Sequence, residues 1–140
     1  MLTCVVDPGV LIAARLSGKG APAEMIRRWL AGELDLIVSP LLLSEVRDVL
    51  LREKFRRWLT RDEAEAYVAF LRTHARLVPD PPPEHGHSRD ADDDYLVTLA
   101  RASNARALIS GDRDLTTMPD ARPPVLSPRE LIITLERIGR

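Results

Sequence analysis

Apolar and polar positions change period several times along this chain, and each change marks an element. The unbroken run Leu2-Thr3-Cys4-Val5-Val6 has the composition of a strand buried on both faces, and Pro8-Gly9 ends it. Residues 10–16 predict a helix, a Gly/Lys turn follows, and 21–30, with Pro22 in its first turn, predicts another. A second strand is expected over 34–38. Ser39 and Pro40 carry the signature of an N-cap and first helical position. From Leu42 the helical spacing groups Glu45, Val46, Val49 and Leu50 on one side, which predicts that Glu45 faces inward. Thr60-Arg61-Asp62-Glu63 is a capping box opening a helix to about residue 76, and the two helices form an arm. Residues 79–87, with three consecutive prolines, read as an irregular connector too short to separate domains. Helical spacing returns in Tyr95-Leu96-Val97-Thr98-Leu99-Ala100. Strands are expected at 106–110 and 125–126, and Ser127-Pro128-Arg129-Glu130 opens a final helix with cap, proline and capping-box acid together.

Strands separated by helices imply right-handed crossovers. The expectation is one α/β domain over residues 1–140, in three layers, with a mostly parallel sheet of four to five strands flanked by helices. A chain of 140 residues buries roughly two-thirds of its unfolded surface, so it needs no staples. The single cysteine, Cys4, lies within a predicted strand and reads as a small core residue; it offers no disulfide or thiolate metal site. No apolar run approaches the ~20 residues that span a bilayer, and the N-terminus lacks a signal-peptide pattern. The reading is a soluble cytoplasmic protein that does not engage membranes.

The formal net charge of −1 gives no global case for nucleic-acid binding, but the distribution is uneven. Arg47, Arg52, Lys54, Arg56, Arg57 and Arg61 crowd the arm, while acids gather around 80–94. Phosphate contacts dominate nucleic-acid affinity, so Arg52, Lys54, Arg56 and Arg57 are candidates for contacting a phosphodiester substrate; a solvated helix connection is an equal reading. Trp58 reads as core or interface rather than a stacking platform.

Four acidic positions stand out along the chain: Asp7, Glu45, the run Asp90-Ala91-Asp92-Asp93-Asp94, and Asp112-Arg113-Asp114. Asp7 and Asp112 each follow a predicted strand, and ligands bind outside the carboxyl ends of strands in open α/β sheets. An inward carboxylate at Glu45 would need a cation, a proton or hydrogen bonds to offset its burial. The aspartate run has an ordinary use, since acids in a first turn cap a helix and complement its dipole. Four exceed that need, and the set together points to a divalent metal. Ser110 precedes Gly111-Asp112, where its hydroxyl would orient a carboxylate or metal-bound water, or only cap a turn. His85 and His87 sit in a Pro/Gly loop without a third partner, and His74 lies among polar neighbours. There is no phosphate-binding glycine loop and no serine–histidine or cysteine–histidine pairing, which disfavours a side-chain nucleophile.

The ordered set Val5-Val6-Asp7, Ser39-Pro40 with Ser44-Glu45, Arg89-Asp90-Ala91-Asp92-Asp93-Asp94-Tyr95-Leu96, and Ile109-Ser110-Gly111-Asp112-Arg113-Asp114-Leu115 resembles the PIN-domain family. It is most similar to the bacterial branch of VapC-type ribonucleases, toxins of toxin–antitoxin pairs. That resemblance implies a Mg²⁺ or Mn²⁺ site, endonucleolytic cleavage of RNA, a small antitoxin partner and frequent homodimers. Carried over by motif, Asp7 is the first acid, Glu45 the second and Asp112 the acid after the later strand, with Asp114 close behind. Two registers compete for the third acid: spacing favours Asp94, and the Asp-x-x-Asp form favours Asp93, with Asp90 as an outer candidate. The family usually places Thr or Ser and then Asn after the first acid, where this chain has Pro8 and Gly9. That departure defines an alternative, a PIN-fold RNA- or antitoxin-binding protein with impaired catalysis. Phosphatases of the haloacid dehalogenase kind need an acid where Gly9 stands. Receiver domains need paired acids beside the first strand and a late lysine.

Overall fold

The structure, a computed structural model, describes residues 1–82, 91–116 and 122–139, excepting the side chains of 91–94 and 113–114. Five strands are present among the described residues: β1 (Leu2–Val6), β2 (Leu34–Val38), β3 (Arg76–Leu77), β4 (Ala107–Ile109) and β5 (Val125–Leu126). They form one wholly parallel sheet in the order β3-β2-β1-β4-β5, with Cys4 opposite Leu36 on one side and Ala107 on the other. The helices are α1 (Pro8–Leu16), α2 (Ala21–Leu30), α3 (Pro40–Leu50), α4 (Arg61–His74), α5 (Ala91–Ala102), the short α6 (Arg113–Thr116) and α7 (Pro128–Ile138).

From β1 the chain steps outward to β2 and β3, then returns across the sheet to β4 on the other side of β1. Right-handed crossovers put the two excursions on opposite faces. Accordingly α1 packs with α2 and α3, α3 with α4, and α2 with α7, while α5 lies against β1 and β4. The connections therefore diverge between β1 and β4, and a crevice is expected there, at the strands' carboxyl ends.

Asp7 explains why α1 begins two residues before the predicted start. Its carboxylate Oδ1 accepts the Gly9 N–H at 2.9 Å as an N-cap, and Pro8 fills the first helical position, where no N–H is required. The caps read from sequence at Ser39, Thr60 and Ser127 all form, the latter two as complete capping boxes. β3 was not foreseen; it has two residues, both exposed, and so carries no alternation to detect. Its pairing with Ile37 and Val38 ends α4 at His74 rather than near 76. Among the described residues no helix is long and apolar enough to cross a membrane.

Cys4 is fully buried at the centre of the sheet, and burial pushes its thiol from the ordinary 9.0 up to about 12, with the negative charge of Asp35 adding to the effect. A thiol whose folded value is raised holds its proton more tightly folded than unfolded. Its stabilising contribution is therefore complete below about pH 9 and is lost as pH rises toward 12. Two results are expected. A chromogenic disulfide reagent at pH 8 reacts with Cys4 only at the rate of unfolding, and the melting temperature declines above pH 9.

Candidate active site

The carboxyl ends of β1 and β4 meet at three residues. Asp7 extends the β1 ladder, its N–H donating to Ile109 O at 2.8 Å. The fully buried Ser110 donates its hydroxyl to Asp7 Oδ2 at 2.9 Å, and its Oγ accepts the Asp112 N–H at 3.0 Å. One serine thus ties the first acid to the backbone of the acid after β4. Asp112 also opens α6, its carbonyl accepting from the N–H groups of Leu115 and Thr116. Both acids are half-buried. The Asp7 carboxylate accepts one hydrogen bond on each oxygen. Since an ionised carboxylate has about four acceptor positions, roughly half remain for a cation. Hard oxygen donors of this kind fit Mg²⁺ or Mn²⁺.

Glu45 departs from its expected orientation. The buried positions of α3 are Leu42, Leu43, Val46 and Leu50, and Glu45 is exposed. At about 100° per residue, Glu45 lies about 115° from the centre of that buried stripe, so it borders the core instead of entering it. Its negative charge still helps to raise the Tyr95 hydroxyl, so the two lie within electrostatic reach.

Tyr95 belongs to a network that the sequence did not disclose. Its hydroxyl donates to Asp80 Oδ1 at 3.1 Å and lies 2.5 Å from Ser39 Oγ. Asp80 is an acceptor, so the single tyrosine proton goes there and Ser39 donates to the tyrosine oxygen. Ser39 Oγ caps α3 through the Leu42 N–H, and Asp80 Oδ2 accepts the Leu41 N–H at 3.0 Å. Burial first, and the charges of Asp80 and Glu45 after it, push the Tyr95 hydroxyl well above the ordinary tyrosine range, against the bond from Ser39. It stays a neutral donor and pins the first turn of α5 to the start of α3. A polar-tipped aromatic at the head of an apolar stripe was the available signal; its partner, Asp80, lay in a segment read as an irregular connector.

The backbone of residues 92–94 forms that first turn of α5. The side chains of Asp93, Asp94 and Asp114, and all of Asp90, His85 and His87, lie outside the described residues. Among those described, no three acids, histidines or cysteines gather closely enough to hold a metal by themselves. On the arm, Arg52, Lys54 and Arg57 are exposed. Arg56 differs: its guanidinium turns inward to the carbonyls of Leu50 and Arg52, closing the end of α3, while its Nε and Nη1 are buried without a hydrogen-bond partner among the described residues. It serves the turn rather than facing solvent.

A parallel α/β sheet with acids assembled at its switch point defines a class of domain, and the comparisons specify the family. The PIN-domain family model matches residues 3–114, and the chain belongs to that family. Among solved structures, PAE2754 from Pyrobaculum aerophilum is similar at 17% identity and TM-score 0.67, over 97% of this chain and 90% of that one. VapBC2 from Rickettsia felis, solved with a DNA fragment from its promoter, is 10% identical with TM-score 0.63, over 90% and 98%. VapC20 from Mycobacterium tuberculosis, described as a toxin cleaving the sarcin–ricin loop, is 18% identical with TM-score 0.55, over 79% and 91%. These likenesses are of fold. Among curated proteins no sequence matches.

Proposed function

We propose that this protein is a metal-dependent endoribonuclease, the toxin of a toxin–antitoxin pair, acting in the cytoplasm on RNA and restrained by a small antitoxin. The observation that carries the reading is the Asp7–Ser110–Asp112 junction at the switch point of a PIN-domain chain. Asp7, Asp112, Glu45 and one of Asp93 or Asp94 would hold Mg²⁺ or Mn²⁺, with Asp114 and Asp90 further out. Bound there, the ion would lower the pKa of a water, orient it in line and neutralise charge growing on the phosphate. Ser110 and the Gly9 N–H fix the Asp7 carboxylate, the Tyr95 network fixes the turn carrying Asp93 and Asp94, and one carboxylate takes the proton of the attacking water. Arg52, Lys54 and Arg57 contact phosphates away from the cut. As in many relatives by resemblance, two copies would pair.

The alternative, a PIN-fold protein that binds RNA or antitoxin without cutting, rested on Pro8-Gly9. The Gly9 backbone N–H and the Ser110 hydroxyl, just after β4, each hold one oxygen of Asp7, so the first acid is fixed without side chains at positions 8 and 9. This favours the cleaving form. The test is incubation of the protein with structured and single-stranded RNAs in Mn²⁺ or Mg²⁺ and in EDTA. Discrete cleavage products with either ion and none in EDTA are expected; intact RNA throughout would leave the binding reading.

A further inference from the structure

The turn between α3 and α4 is built as a rigid mount. Arg56 fastens it to the end of α3, Leu59 is buried in the core, and Thr60 opens α4 with a complete capping box. On this mount Trp58 is 61% exposed, so of the two readings from sequence, core or interface, the core is excluded. The Arg57 guanidinium stands over the indole, 5.2 Å from its centroid, and Lys54 stands 5.1 Å from the centroid of the Phe55 ring. Among the described residues, Arg52, Lys54 and Arg57 have no carboxylate partner, whereas the nearby Glu53 is paired with Arg61. An exposed indole with a guanidinium over it thus lies on a turn that carries two further cations.

We infer that Trp58 stacks on a base of single-stranded RNA, with Arg52, Lys54 and Arg57 holding the flanking phosphates. This rests on the reading of the protein as acting on RNA and assigns part of its substrate recognition. Base–aromatic stacking accepts any base and is reinforced by arginine over the same ring. Three cations without a carboxylate partner beside the ring, one of them a lysine of the kind protein interfaces are depleted in, favour a polyanion such as RNA over an apolar protein partner. Position adds a length requirement. The platform lies at the far end of α3 from Ser39, and eleven helical residues span about 16 Å. At about 3.4 Å per stacked nucleotide, the length of α3 alone corresponds to roughly five nucleotides.

The test uses the intact protein in EDTA with a ten-nucleotide single-stranded RNA and the same sequence as a duplex, followed by tryptophan fluorescence and anisotropy of a labelled strand. Trp29 is buried, so quenching reports Trp58. The single strand is expected to quench emission and bind more tightly than the duplex. Trp58→Ala is expected to weaken binding about 5- to 150-fold, and Trp58→Phe by less. Both variants should melt like the parent, because the ring is exposed. Undiminished binding by Trp58→Ala, a preference for duplex, or quenching by an acidic apolar peptide but not by RNA would each overturn the inference. Because binding is read without metal, a protein that binds in this way and never cleaves would remove the nuclease reading and leave this one standing.

Discussion

Asp7→Asn and Asp112→Asn are each expected to lower the rate of RNA cleavage in Mn²⁺ by about a hundredfold or more while the protein stays folded. A metal stabilises transition-state charge by several kcal/mol, and each 1.36 kcal/mol is tenfold in rate. An amide has the shape of the carboxylate without its charge, so the change removes a ligand; at position 7 it also puts an NH2 where Ser110 now finds an acceptor oxygen. At position 7 the fold is protected, since asparagine is as good an N-cap as aspartate and its amide oxygen can still accept the Gly9 N–H. Single-turnover rates beside melting curves separate the two effects. Full activity in either variant would exclude that acid from the site.

Ser110→Ala is the second large effect, expected at about 10- to 100-fold, the range seen when a group orienting a metal ligand is removed. Ser110 touches neither metal nor RNA in this account; it is a positioning residue. Its loss frees the Asp7 carboxylate on one side and strips the Asp112 N–H of its acceptor. The distinguishing readout is the metal dependence. Half-saturating Mn²⁺ should rise and excess Mn²⁺ should restore part of the rate, with KM for RNA unchanged. A serine that only stabilised the fold would lower the melting temperature and leave the Mn²⁺ dependence where it was.

The core strands and most helices could be read from sequence because burial and capping leave local signals. β1 and β2 are continuous apolar runs, and Ser39-Pro40, Thr60–Glu63 and Ser127–Glu130 satisfy helix ends with residues three apart. Asp7 and Asp112 were legible for the same reason, each closing a strand. The orientation of Glu45 was not, because 115° from the stripe centre is the margin where helical spacing alone stops deciding between inside and outside. The contacts of Tyr95 with Ser39 and Asp80 span 56 and 15 residues, and only the fold brings them together. Arg56 turns inward against its expected solvent-facing role because carbonyls at the end of α3 need donors, and Trp58 lies outside the core, which leaves only the interface half of its reading.

The central claim is that Asp7 and Asp112 hold a divalent ion together, and the most direct measurement is Mn²⁺ binding by electron paramagnetic resonance titration of the parent, Asp7→Asn and Asp112→Asn. Saturable binding is expected in the parent, weakened at least tenfold in each variant. Equal binding by all three would contradict it, whatever the cleavage assays gave.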